Sequence, residues 1–194
     1  MVDLDDLGII EDILGGSNSE DDKSKKLDFD SVISQLPKTV RNIDDFKEMM
    51  ALYNSLDFTS KLNKSVLQET IDQIYSDEKI FFIYNATNFK TTSLRNDETT
   101  KTKDGATFIS NKRVYFKERK SNNYVLDFPI AQIRSTDVKT GLMGGNISFT
   151  TDIQRIEMSL LGFEIDVINM IHNVFSHVVA YKGKPPIPIK DDQS

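Results

Sequence analysis

Only two histidines, His172 and His177, and no cysteine are found among the 194 residues. They stand five apart on a segment that reads as a helix, so they point in different directions, whereas a metal pair on one helix face needs i, i+4 spacing. Without thiolates or an H-E-x-x-H pattern, zinc ligation and thiol catalysis have no residues to work with. No G-x-S-x-G elbow, P-loop or dinucleotide fingerprint appears. The run Gly141–Gly145 is Gly-rich, but Leu142 and Met143 fill its middle and no Lys-Ser/Thr comes after it, so it reads as a hairpin turn rather than a phosphate cradle. The acid pair Asp44-Asp45 falls at a predicted helix start, where capping and the helix dipole account for it. The expectation is a protein that is not an enzyme and takes no metal or cofactor.

The remaining chemistry is charge. The net charge of −6 conceals a split: residues 1–27 carry −5, residues 28–78 another −5, and residues 79–140 carry +6. Within the basic block, Arg113–Arg119 reads as a strand. A period of two places Arg113, Tyr115, Lys117 and Arg119 on one face, with Val114 and Phe116 turned to the core. Lys101, Lys103 and Lys112 belong to the neighbouring loops and turn. A face of this kind suits anionic lipid headgroups or an acidic protein surface. Nucleic acid is disfavoured, because the whole chain is acidic and lacks the interleaved aromatic and basic residues of single-strand binders.

These residues need a scaffold, and the chain divides into four stretches to supply it. Residues 1–27 are an acidic tail and linker. Leu7, Ile10 and Leu14 fall at i, i+3 and i+7, and with Leu4 they are the candidate partner-binding residues of this tail. GGSNSEDDKSKK, residues 15–26, has no apolar side chain to offset ordering entropy and reads as a linker. Residues 28–76 read as three short helices: one capped by Asp28 or Asp30 and stopped by Pro37, one started by Asn42 or Asp44, and one started by Asn63. They could form a small subdomain or pack on the β-rich stretch beyond them.

From Asp77 the period changes to that of strands. Lys79–Asn85 is aromatic and β-branched. Residues 86–105 read as a long polar loop with a ragged strand near Lys90–Leu94. Ala106–Ser110 and Arg113–Arg119 are strands joined by the tight turn Asn111-Lys112. Tyr124–Phe128 and Ile130–Ile133 read as one strand interrupted by Pro129, hence an edge or a bend. Ser135–Thr140, Asn146–Thr151 and Arg155–Leu161 complete an antiparallel barrel or sandwich with no helices between strands. Glu164–Tyr181 has a wide apolar stripe, Val167, Ile171, Val174, Phe175 and Val178, ending at Lys182 with Gly183 at the left-handed C′ position. Residues 184–194 are a tail.

Residues 77–181 resemble bacterial pleckstrin-homology domains, also described as PH-like or GRAM-like. Asp77-Glu78-Lys79-Ile80 is similar to the family's acidic-Glu-Lys-Ile opening. Gly105–Phe116, GATFISNKRVYF, is similar to its Gly, strand, polar turn with Lys-Arg, aromatic strand pattern, with Ser110-Asn111 where the family often has Thr-Asp or Thr-Asn. Phe128–Thr151 is similar to its later strands and Gly-containing hairpin. The resemblance implies an α+β fold, a seven-stranded antiparallel barrel capped by a C-terminal helix over residues 77–183, here preceded by a helical segment. It also implies a binding module. Eukaryotic pleckstrin-homology domains bind inositol phosphates through basic residues near the first hairpin, and the positions that correspond are Lys101, Lys103, Lys112, Arg113, Lys117 and Arg119.

The expected partner is therefore a protein, with self-association or binding of an anionic lipid as alternatives. A prophage or other accessory protein acting by binding would carry the same features. The N-terminus has no basic n-region and is acidic throughout its apolar stretch, unlike a signal peptide. No apolar run approaches the roughly 20 residues of a membrane helix. The expected location is the cytoplasm, with peripheral contact to a membrane as the alternative.

Overall fold

A computed structural model describes residues 27–54, 64–100, 103–119 and 124–184. The tail residues Leu4, Leu7, Ile10 and Leu14, the cap Asn63 and the loop residue Lys101 lie outside the described residues.

Three short helices come first. Helix α1, Phe29–Ser34, is capped by Asp28, whose carboxylate accepts from the Ser31 N–H. Helix α2, Ile43–Leu52, is capped by Asn42, whose side chain accepts from the N–H groups of Asp44 and Asp45. These caps satisfy amide donors that have no partner within the helix. Helix α3 spans Lys64–Ile71. The apolar sides of all three enter the same buried cluster as the strands: Val32, Ile33, Phe46, Met49, Leu67 and Ile71 are continuous with it. The helices are thus part of one core. Lys38 adds a single antiparallel bridge to Ile80, and the buried Tyr53 hydroxyl donates to the Phe81 carbonyl at 2.7 Å.

The sheet is antiparallel with seven strands in the order β4-β3-β2-β1-β7-β6-β5. Their spans are β1 Ile80–Ser93, β2 Lys103–Ser110, β3 Arg113–Glu118, β4 Val125–Pro129, β5 Ser135–Gly141, β6 Gly144–Thr150 and β7 Gln154–Leu161. The 14-residue β1 is the corner piece. Its first stretch pairs with β2 from Ile80↔Ser110 to Phe89↔Lys103, and its last stretch pairs with β7 from Asn88↔Ser159 to Ser93↔Gln154. A register shift between Asn85 and Thr87 marks the bend, as a bulge does when a strand turns from one sheet half to another.

Three expectations from the sequence are corrected by the structure. Residues 86–89 are strand, not loop, and the ragged strand expected near Lys90–Leu94 is the end of β1, which runs to Ser93. Phe89 and Thr91 turn inward while Lys90 and Thr92 are partly exposed; a half-covered strand with Thr and Lys outward looks like a loop in composition. Ile130–Gln132 is a 3-10 turn rather than a strand, because Pro129 closes β4 at the sheet edge. At the helix end, Lys182 holds the C′ position with φ +52° and Gly183 the next with φ +75°. The Gly183 N–H donates to the Val178 carbonyl and the Lys182 N–H to that of Val179, a Schellman closure set one residue before the expected one. Gly183 is required at its place: a Cβ there would lie 1.8 Å from the Asn111 carbonyl oxygen.

Helix α4, Ile165–Ala180, closes the structure. Val167, Ile168, Ile171, Val174, Phe175 and Val178 are buried against β5, β6, β1 and the 3-10 turn. Burying one such side chain contributes about 1.5–3 kcal/mol. The fold is α+β: a seven-stranded antiparallel sheet, bent at β1, with a C-terminal helix over its open end.

Candidate functional site

The basic strand face comes first. Arg113 and Tyr115 share one side of β3, as the period of two requires, yet they are only 6% and 4% exposed. The segment after α3 covers them. Arg113 Nε lies 3.0 Å from Glu78 Oε1 and its Nη2 3.1 Å from Oε2, a bidentate pair. Its Nη1 donates to Asp127 at 2.6 Å and its Nη2 to the Gln73 carbonyl at 2.7 Å. The Tyr75 ring stacks over the guanidinium at 4.0 Å. Glu78 is fully buried and accepts also from the Ser110 hydroxyl and the Tyr75 N–H. Its two oxygens thereby receive four donors, which is their full capacity. Burial opposes the Arg113 charge, but hydrogen bonds and attraction from Glu78 and Asp127 outweigh it and hold its pKa above the ordinary value.

Three of the other basic candidates are paired as well. Lys112 pairs with Asp77 and Lys117 with Glu69. Lys103 lies 3.3 Å from Glu118 and 5.2 Å from the centre of the Tyr124 ring. Arg119 is exposed, and its amide donates to the Asp104 carbonyl. The residues of the expected basic face are thus divided between internal pairs and solvent. Arg113 is an internal ion-pair partner, and the acids from residues 69–78 neutralise Lys112 and Lys117. Strand periodicity places these side chains on a shared side but does not say what lies over that side.

The same contacts explain the signature residues. Lys79 N–H donates to the Asn111 side chain at 2.9 Å, and Asn111 N–H to the Lys79 carbonyl at 2.9 Å. Together with Glu78, Ser110 and Arg113 they stitch the start of β1 to the β2–β3 turn. Gly105 lets β3 approach, since a Cβ there would lie 2.0 Å from the Lys117 carbonyl oxygen.

The opposite end of the sheet is open among the described residues. The β5–β6 connection is Leu142-Met143, 106% and 81% exposed. Leu161 and Ile165, at 59% and 49%, lie at the junction of β7 and α4. The Gly162 N–H donates to the Met143 carbonyl at 3.0 Å, and Gly144 pairs with Leu161, so the apex and the junction are tied together. A groove of about 240 Å³ runs past Met143 and Leu161 above Gly144 and Gly145. Glycine content alone makes this run a turn and nothing more. The signal that could have found it is two large apolar residues at a hairpin apex, where polar turn residues are the rule.

The histidines do not converge. His172 Nε2 lies 3.2 Å from the Ser176 hydroxyl, and burial lowers its pKa against the opposing effects of Asp137 and Thr136. His177 packs between the rings of Phe29 and Tyr181, and burial lowers its pKa too. Among the described residues no group of three or more His, Asp or Glu is placed to hold a metal ion. No described helix is long and apolar enough to cross a membrane.

The strand order, the corner in β1 and the closing helix define a pleckstrin-homology-like fold. No family model and no curated protein matches the chain. Among solved structures it is similar to the C-terminal domain of an unknown protein from Leishmania infantum, at 13% identity and a TM-score of 0.34, over 74% of this chain and 100% of that one. It is also similar to the Vav1 exchange factor, in a structure concerned with that protein's PH and C1 domains, at 12% identity and a TM-score of 0.37. That likeness covers 73% of this chain and 41% of the other. The fold assignment rests on topology and register, not on these distant likenesses.

Proposed function

We propose that the protein is a non-catalytic binding module that recognises a protein partner, with the β5–β6 apex and the β7–α4 junction as the contact. The observation that carries this reading is the exposure of Leu142 and Met143, beside Leu161 and Ile165. Large apolar side chains held together in water favour a partner surface. Glu164 and Asp166 flank Ile165, which suits a protein surface better than an anionic membrane. The alternative, anionic lipid at the β2–β3 basic residues, is less favoured because Lys112, Arg113 and Lys117 are already paired with acids of this chain.

The test compares the tagged full-length chain with its Leu142→Ser, Met143→Ser variant. Proteins recovered from the native cell by the first and lost with the second support the reading. Co-sedimentation with phosphatidylserine vesicles at low and high salt is the second arm. Salt-sensitive vesicle binding that the apex variant retains, with no apex-dependent protein, would replace this reading with the lipid one.

A further inference from the structure

At the other end of α4, about 24 Å away for a helix of 16 residues, lies a second unfilled surface. A groove of about 410 Å³ runs between α1 and the last turns of α4, lined by Phe29, Asn173, Ser176, His177, Ala180 and Tyr181. The Phe29 ring meets His177 edge-on at 5.9 Å, and the Tyr181 ring lies 4.4 Å from His177 on the other side. Tyr181 is 46% exposed. His177 Nε2 is shielded from water yet has no hydrogen-bond partner among the described residues. A shielded polar nitrogen without a partner is unfavourable, so an occupant that gives it one after a turn of the imidazole toward the groove is favoured.

The chain itself provides a segment at the right place. Phe29, on the groove wall, is two residues beyond Leu27, where the described N-terminal part begins. Before it stands the polar run 15–26, and before that the aliphatic stripe Leu4, Leu7, Ile10 and Leu14 among Asp5, Asp6, Glu11 and Asp12. A Gly/Ser-containing run of this length reaches roughly 20 Å on average, and tethering supplies an effective concentration in the millimolar range. The residues after α4 are less suited. Gly183 abuts the Asn111 carbonyl and holds the departing chain at the β2–β3 turn, and Pro185, Pro186 and Pro188 come next.

We propose that residues 4–14 dock in cis into the α1–α4 groove. The aliphatic stripe lies on the Phe29, Ala180 and Tyr181 surface, and the His177 imidazole turns toward the groove so that its Nε2 donates to one carboxylate of the segment. The interaction is a helix-in-groove contact, and it leaves the β5–β6 apex free.

The absence of cysteine makes the test direct. A nitroxide is attached to the full-length chain at Asp12→Cys, and amide relaxation is read across the molecule by NMR. The expected result is strong broadening at Asn173, Ala180 and Tyr181, and much weaker broadening at Leu142 and Gly144. Adding Leu7→Asp and Ile10→Asp to the same labelled chain abolishes the difference. Equal broadening at the two ends of α4, or none at either, would overturn the proposal. So would broadening in a mixture of labelled, isotope-free chains with unlabelled, isotope-enriched ones, since the segment would then occupy the groove of a second copy.

Discussion

The β2–β3 and β5–β6 hairpins are both closed by two residues, and they meet solvent in opposite ways. Asn111-Lys112 is tied to the segment that comes after α3 through Lys79 and Asp77, with Glu78 and Arg113 buried beside it. Leu142-Met143 stands clear of the described fold. The hairpin whose turn and strand are rich in charge is tied by internal ion pairs, and the hairpin whose turn carries no charge is the one left open. The split between acidic residues 28–78 and basic residues 79–140 is thus answered largely inside the molecule, by Glu69, Asp77 and Glu78 against Lys117, Lys112 and Arg113. Net charge along a chain describes the available fields; whether a partner experiences them depends on which side chains are already paired.

The sharpest way to break this contrast is Glu78→Ala. It leaves the Arg113 guanidinium buried with only Asp127 and the Gln73 carbonyl, and removing one partner of a buried pair costs about 3–5 kcal/mol. Urea unfolding of the variant measures it. The double variant Glu78→Leu, Arg113→Met should lose much less, because no buried charge is left unpaired and Asp127, its side chain 42% exposed, is met by water. A Glu78→Ala loss below about 1 kcal/mol would mean that the pair does not hold the hairpin, on the scale of surface pairs.

A pair of glycine substitutions compares the two ends by one added methyl group. Gly105→Ala drives a Cβ to 2.0 Å from the Lys117 carbonyl and 2.7 Å from the Phe116 ring. Overpacking of this kind costs about 1–3 kcal/mol or more. Gly141→Ala, at the β5–β6 hairpin, finds its nearest neighbour at 3.9 Å, so stability should stay within about 0.5 kcal/mol. Thermal unfolding of both variants reads the difference; equal losses would erase it.

How far these features are legible in the sequence varies by element. The α4 stripe and the Asp28 and Asn42 caps arise from local chemistry, and the structure has them. Arg113 shows where that stops: its side of the strand is local information, but its covering by Gln73, Tyr75 and Glu78 depends on contacts 35 to 40 residues away. The run IFFIYN carries a signal beyond its β-propensity. Phe81, Phe82 and Ile83 are consecutive and all buried, as befits a strand covered on both faces, here by the barrel core and by Tyr53. Residues 86–89 are opaque, and 90–93 legible only as a ragged strand, for the opposite reason: among the described side chains of 88–93 only Phe89 and Thr91 are inside. The α1–α4 groove has no local signature, because it forms from residues about 145 apart in sequence.

A weaker effect comes from acid. Burial depresses the pKa of both His172 and His177 below the ordinary 6.5. The folded state therefore resists protonation that the unfolded state accepts. Stability is full above pH 6.5 and is lost as pH falls through the depressed folded values. Asp77 and Asp152, held low by hydrogen bonds from Lys112 and Arg134, add their own loss only below about 3.8. Urea midpoints between about pH 7.5 and about pH 4.5 should fall modestly, and His172→Gln with His177→Gln should flatten that slope. A slope unchanged in the double variant would assign it to other groups.

The smallest expected change in stability is at the apex, and it is the most informative about function. Leu142 and Met143 lose little or no solvent exposure on folding, so Leu142→Ser and Met143→Ser together should alter stability by no more than about 0.5 kcal/mol. A side chain that adds nothing to the fold and stands apolar in water is what the proposed contact would bury. The contrast with the β2–β3 hairpin is therefore tested by two measurements on one variant. Unchanged unfolding with loss of partner capture separates the binding end of the sheet from the structural end. A destabilised apex variant would show instead that Leu142 and Met143 serve the fold, and the two hairpins would differ in chemistry but not in role.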